Sequence, residues 1–243
     1  MEKRSCKNKS MSRLYIVATP IGNLDDITLR AINTLRDADV IACEDTRHTQ
    51  NLLTHLEITG KRLIACHAHN EAASSQGIIG LLGQGLSVAY CSDAGTPGVS
   101  DPGSRLVRAV REAGFEVVPI PGASASVTLI SASGLAGKTF TFEGFLSPKS
   151  GRRKSRLKEL LSREEAFIIY ESPFRILKTL GELQQIDDTR RLVLGREMTK
   201  AFEEFICGTP SEVISQLKVV KGEFALVVLP PEKNTPEEEE DEE

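Results

Sequence analysis

YCSDAGTPGVSDPG, residues 90–103, lies between two stretches of different periodicity. Before and into it, Ser87-Val88-Ala89-Tyr90-Cys91 is a short apolar run of the kind that forms a buried strand. After it, Ser104-Arg105-Leu106-Val107-Arg108-Ala109-Val110-Arg111 carries apolar residues at helical spacing. The glycines and prolines between them exclude regular structure and let a backbone approach a ligand closely. Strand-to-helix connections usually take about 2–6 residues, and this one is longer. A long small-residue loop bearing Asp93 and Asp101 at the carboxyl end of a strand is where open α/β sheets bind ligands.

The same grammar recurs on either side. Strands are expected at 14–18, 40–43, 62–66 and 116–120. Each ends in a polar or Gly/Pro cluster: Thr19-Pro20-Ile21-Gly22-Asn23-Leu24, Glu44-Asp45-Thr46-Arg47, His67-Ala68-His69-Asn70-Glu71 and Pro121-Gly122-Ala123-Ser124. Asp25 or Asp26, Thr46 and Asn70 are candidate caps for the helices that follow. Five strand-to-helix passages predict a parallel sheet with helices on both faces, its loops converging along one edge. The second half reads as a mixed sheet with helices. Strands are expected near 139–146, 167–170, 192–195, 202–207 and 224–229, and Pro173 suits a first helical turn. The expected organisation is a basic disordered arm at 1–12, an N-terminal α/β domain at 13–124, a C-terminal α/β domain at 125–231, and an acidic disordered tail at 232–243.

Net charge is −4, but the seven acids at 237–243 set that sign; without them 30 basic and 27 acidic residues remain, a balance of +3. No run approaches the roughly 18 apolar residues of a membrane span. The polar first ten residues lack the apolar segment of a secretory signal. Five scattered cysteines without a CxxC pair fit reduced thiols and a cytoplasmic protein.

Several familiar chemistries lack their signatures. No GxGxxG follows the first strand, and no GxSxG elbow is present. ASGLAGKT, residues 132–139, resembles a relaxed phosphate loop but follows a helix and precedes a strand, the reverse of what that motif requires. His67 and His69 with Cys66 and Glu44 or Asp45 do not make a defined metal-ligand pattern, and no metal is expected. Glu44, Asp45, Glu71, Asp93 and Asp101 all follow strand ends. They exceed what helix capping needs and suit a cleft for hydroxyl groups and a positive centre. Lys149, Arg152, Arg153, Lys154, Arg156 and Lys158 form a basic run, read equally as a solvated helix face or as contacts to a phosphate backbone. Arg196, Lys200 and Lys221 add positive charge to the same half.

LYIVATPIGNLDDIT, ACEDTRHT, HNE, SDAGTPGVSDPG, PGAS, YESP and KGEFALVV, in this order from 14 to 228, resemble the ribosomal small-subunit methyltransferase I family, whose fold is that of the tetrapyrrole methylases. The resemblance implies a two-domain α/β enzyme, usually a homodimer, that uses S-adenosylmethionine to methylate a cytidine ribose 2′-hydroxyl in the decoding region of 16S rRNA, with the 30S subunit as partner. Carried onto this chain, it implies cofactor contacts at Pro20, Gly22, Asp93, Gly95, Thr96, Pro97, Ser124, Ala125 and Tyr170. Glu44, Asp45, Arg47, His69 and Glu71 are expected on the acceptor side. Arg152, Arg153, Lys154, Arg196, Lys200 and Lys221 are expected at RNA. Phe174 departs from the pattern, since the family more often has His after YESP. Two rivals are a tetrapyrrole C-methyltransferase of the same fold and a non-catalytic RNA-binding assembly factor.

Overall fold

A computed structural model describes residues 12–135 and 139–232. The basic arm, most of the acidic tail and the centre of ASGLAGKT lie outside the described residues. The chain divides into two compact units between Val127 and Thr128.

The first unit holds β1 (Arg13–Val17), α1 (Leu29–Asp37), β2 (Val40–Cys43), α2 (Thr46–His55), β3 (Arg62–Ala65), α3 (Glu71–Gly83), β4 (Val88–Cys91), α4 (Ser104–Glu112) and β5 (Glu116–Ile120), and α5 (Ala125–Ser133) begins within it. Its sheet has the order β3-β2-β4-β1-β5, and every pairing is parallel. Central strands such as Val40–Cys43 and Val88–Cys91 are buried at every position, as a sheet covered on both faces requires. On one face, Ile78, Leu82, Leu106 and Val110 of α3 and α4 pack on Leu14, Ala42, Val88 and Tyr90. On the other, Ala31, Leu35 and Leu53 of α1 and α2 pack on Val17, Ile41, Cys43 and Cys91.

That arrangement fixes where a ligand fits. β1 and β4 are neighbours, yet the chain leaving β1 goes to a helix on one face and the chain leaving β4 to a helix on the other. The chain therefore leaves the carboxyl ends of these neighbouring strands toward opposite faces, which makes this the switch point of the open parallel sheet, where such sheets bind ligands.

Helix starts differ from expectation by a few residues. Asp25 and Asp26 lie in a short 3-10 turn begun by Asn23, while Thr28 caps α1 by accepting the Ala31 N–H at 3.1 Å. Asp45 rather than Thr46 caps α2, accepting the Arg47 N–H at 2.8 Å. Asn70 precedes α3, but its side chain accepts from His67 N at 2.7 Å instead of capping the helix.

The second unit contains β6 (Phe140–Phe145), α6 (Ser150–Ser162), β7 (Ala166–Glu171), α7 (Ile176–Ile186), β8 (Leu192–Arg196), β9 (Glu204–Gly208), α8 (Pro210–Gln216) and β10 (Phe224–Val228). Its sheet, in the order β6-β7-β10-β8-β9, is mixed: β6 and β7 are parallel and the other pairings antiparallel. Leu157, Leu160, Leu180, Leu183 and Val213 from the three helices pack on Phe167, Ile169, Leu194, Leu226 and Val228. Thr209 and Glu212 form a reciprocal capping box on α8. Pro173 stands in a turn ahead of α7, which begins at Ile176.

Candidate functional site

The loops after β1, β4 and β5 are stitched together at the switch point. Thr19 N donates to Gly95 O at 2.9 Å and Gly95 N to Thr19 O at 3.0 Å, so the two Gly/Pro loops pair where they cross. The buried Thr19 hydroxyl donates to Ser92 O at 3.3 Å. Thr96 Oγ1 reaches Ala123 O at 3.0 Å and ties the β4 loop to the one after β5. Gly95 sits at φ +73°, a region L-residues avoid. At Gly122 a Cβ would lie 2.9 Å from that of Ala18, so the loops approach more closely than any side chain permits.

Eight of the nine expected cofactor residues stand on these three loops or directly after them. Pro20, Gly95 and Pro97 are buried, Asp93, Thr96, Ser124 and Ala125 half-buried, and Gly22 exposed. The ninth, Tyr170, belongs to the second unit, where it lies near the end of β7 and meets Phe142 and Phe145 edge-on with ring centres 5.1 and 5.8 Å away.

Beside the crossing lies an acidic edge. Asp93 Oδ1 accepts the Asp45 N–H at 3.0 Å, and Glu44 N donates to Cys91 O at 3.3 Å. The Asp45 carboxylate takes the exposed Arg47 guanidinium through Nε at 3.2 Å and Nη2 at 2.7 Å, and these bonds hold its pKa well below the ordinary range. Glu44 goes the other way: burial first, then the Asp93 charge, raises its pKa. Such a group favours a proton or a nearby cation. His67 and His69 follow β3 with ring centres 6.0 Å apart; His69 is exposed, and the Nδ1 of His67 is buried without a hydrogen-bond partner. Among the described residues no group of three or more His, Cys, Asp or Glu is placed to hold a metal ion.

Glu71 differs most from its expected role. It is buried, and its Oε1 accepts three backbone N–H groups, from Gly103 and Arg105 at 3.0 Å and Leu106 at 3.1 Å. The carboxylate therefore caps α4 from α3 and clamps the end of the 92–103 loop, where it is spent on backbone donors rather than open to an acceptor.

The expected RNA residues also separate. Arg152 and Lys221 are exposed, and Lys154 donates to Gln185 at 2.9 Å. Arg153 is buried in a two-pronged pair with Glu182, Nε to Oε2 at 2.6 Å and Nη2 to Oε1 at 2.7 Å, so it faces the core and not RNA. Its phase along α6 explains this, because Leu157 and Leu160 share its buried face. Arg196 is likewise buried and bonded to Glu204 at 2.8 Å. Lys200 is shared between Glu197 and Glu223, each at 3.0 Å.

Comparison with known proteins agrees with this architecture. The model of the Tetrapyrrole (Corrin/Porphyrin) Methylases matches residues 13–214. A protein named ribosomal RNA small subunit methyltransferase I from Synechocystis sp. is 48% identical, covering 90% of this chain and 79% of its own length. Its namesake from Borrelia garinii is 45% identical over 88% of this chain and 97% of its own length. Among solved structures, a diphthine synthase superposes with a TM-score of 0.73 at 19% identity, covering 90% of each chain. A Thermus thermophilus uroporphyrin-III C-methyltransferase complexed with S-adenosyl homocysteine superposes at 0.63 with 17% identity, over 90% of this chain and 97% of its own. The chain thus belongs to the tetrapyrrole (corrin/porphyrin) methylases.

Proposed function

We propose that this protein methylates small-subunit ribosomal RNA from S-adenosylmethionine, at the 2′-hydroxyl of a cytidine ribose in the decoding region of 16S rRNA. On this reading it acts in the cytoplasm as a homodimer on the 30S subunit. The observation that carries it is identity of 45–49% across nearly nine-tenths of the chain to proteins named ribosomal RNA small subunit methyltransferase I. The fitted loops support the cofactor: Gly122 against Ala18 and Gly95 against Ile21 let the three loops close on one another at the switch point, and Asp93 and Glu44 beside them supply the negative field a sulfonium needs.

S-adenosylmethionine, when bound, supplies a methyl group activated by its sulfonium charge. Pro20, Gly22, Gly95, Thr96, Pro97, Ser124 and Ala125 would hold it through backbone and small side chains. Alignment of donor and hydroxyl supplies much of the acceleration in such a displacement. A ribose hydroxyl is a weak nucleophile, and its proton must leave as the new oxygen–carbon bond forms. Glu44 is assigned that proton, because burial and Asp93 raise its affinity for one. Asp45 positions Arg47, which offers its exposed guanidinium to a phosphate, and His69 lies on the same edge. Exposed Arg152 and Lys221, with Lys154, remain candidates for RNA phosphates.

An acceptor screen tests the proposal. S-adenosylhomocysteine release is measured with 30S subunits, with naked 16S rRNA and with a reduced uroporphyrin. Release dependent on ribosomal RNA, free or assembled, is expected. Release with the tetrapyrrole alone would overturn the reading.

A further inference from the structure

The most exposed large apolar side chain of the described residues is Phe174, at 94%. It is not on a loose loop. The turn that carries it is anchored by Glu171, whose carboxylate is wholly buried. Oε1 of that carboxylate accepts the Ser172 N–H at 2.8 Å and pairs with Arg175 Nη2 at 2.7 Å, while Oε2 accepts the Thr179 hydroxyl at 2.9 Å. Ser172 O takes the N–H groups of both Arg175 and Ile176 at 3.0 Å, and Arg175 Nη1 donates to Leu146 O at 3.2 Å. Pro173 further restricts the backbone. A buried carboxylate is costly, and here one of its oxygens holds a turn whose tip is one bare aromatic ring while the other ties to Thr179 of the helix that follows.

The surroundings match one kind of partner. β6 and β7 run parallel, so Phe145, opposite Tyr170 and 58% exposed, presents a second ring at the edge from which Phe174 projects. Leu177 and Lys178, in the first turn of α7 directly after this turn, are exposed. The Arg175–Leu146 bond brings the chain leading to Lys149 and Arg152 beside the start of α7. Lys149, Arg152 and Lys178 bear no ion pair among the described residues, whereas Arg153 and Arg156 in the same run are neutralised by glutamates. Rigid aromatic rings interleaved with unpaired cations suit single-stranded nucleic acid, whose bases stack while its phosphates meet the cations.

We infer that the turn 172–175 is a stacking element for an unpaired RNA base, with Phe174 as the platform and Lys149, Arg152 and Lys178 along the phosphate path. This rests on the RNA substrate proposed above and adds a contact residue to it. The chain has no tryptophan, so Phe174→Trp installs a single indole, at the tip.

Binding of fluorescein-labelled single-stranded RNA to the full chain is followed by anisotropy. Quenching of the indole fluorescence of the Phe174→Trp variant is read with unlabelled RNA of the same sequence. The expected results are quenching by the single strand, retained affinity in Phe174→Trp and loss of about tenfold or more in Phe174→Ala with an unchanged salt slope. Phe202→Ala, at another exposed ring, leaves affinity unaltered. Unchanged affinity in Phe174→Ala, or RNA binding without quenching, overturns the stacking role and leaves the methyltransferase reading standing. Quenching by intact 30S subunits but not by free RNA would mark a protein-docking tip and also overturn it. Absence of all RNA binding and of methyl transfer to RNA would remove the substrate reading and this inference together.

Discussion

Glu44 and Glu71 share a sheet edge and a side-chain type, and their surroundings send them to different tasks. Glu44 is half-buried beside Asp93 and its pKa is raised above the ordinary 4.5. The folded chain therefore binds this proton more tightly than the unfolded chain does. Its contribution to stability is complete below pH 4.5 and is lost as pH rises through the folded-state value. At neutral pH Glu44→Gln should raise stability, by less than about 1 kcal/mol because solvent still screens a half-buried group, while lowering turnover. Thermal melts at pH 7 and pH 4 check the sign: the gain appears at pH 7 and vanishes at pH 4. Glu71 holds three backbone N–H groups with one oxygen. Glu71→Ala should cost about 3 kcal/mol, by the usual worth of bonds to a charged group, and weaken cofactor binding through the freed loop. Glu71→Gln keeps an acceptor and should recover most of both. Urea unfolding with calorimetric titration of S-adenosylmethionine measures the pair.

At the scale of elements, periodicity located the strands because buried parallel strands are short unbroken apolar runs bounded by polar turns. β2 and β5 fall at the expected residues, 40–43 and 116–120. Helix starts were less legible, because Thr, Asp and Asn compete for a cap over adjacent positions and backbone geometry chooses among them, as at Thr28 and Asp45. The acidic edge was visible as carboxylates after strands. Which of them face backbone was not, since Glu71 meets Gly103 across 32 residues of sequence. The basic run misled for a related reason: one arginine in it, Arg153, shares the phase of Leu157 and Leu160, and its partner Glu182 lies on another helix. Arg153→Ala should therefore destabilise the protein by about 3–5 kcal/mol, the cost of stranding a buried charge. Arg152→Gln should leave stability unchanged and flatten the salt dependence of RNA binding. Chemical denaturation and a salt series separate the neighbours. The loop crossing offers a parallel test. Gly122→Val puts side-chain atoms against Ala18 and should abolish cofactor binding while the fold, read by circular dichroism, persists.

For the whole molecule, one model of the family spans both units, from residue 13 to residue 214. Fold alone does not choose the acceptor, because proteins of this architecture include a diphthine synthase and a uroporphyrin-III C-methyltransferase. The substrate is argued instead from identity along the chain, and the chemistry from the carboxylate edge beside the crossed loops. The decisive measurement is tritium transfer from methyl-labelled S-adenosylmethionine to 30S subunits lacking the modification, followed by nuclease digestion and alkaline hydrolysis of the RNA. The expected result is one labelled cytidine in the decoding region, in an alkali-resistant dinucleotide, because a 2′-O-methyl group blocks cleavage at its own phosphodiester. Label on a base, or no label despite tight cofactor binding, would contradict the assignment of this protein as a ribose methyltransferase of the small subunit.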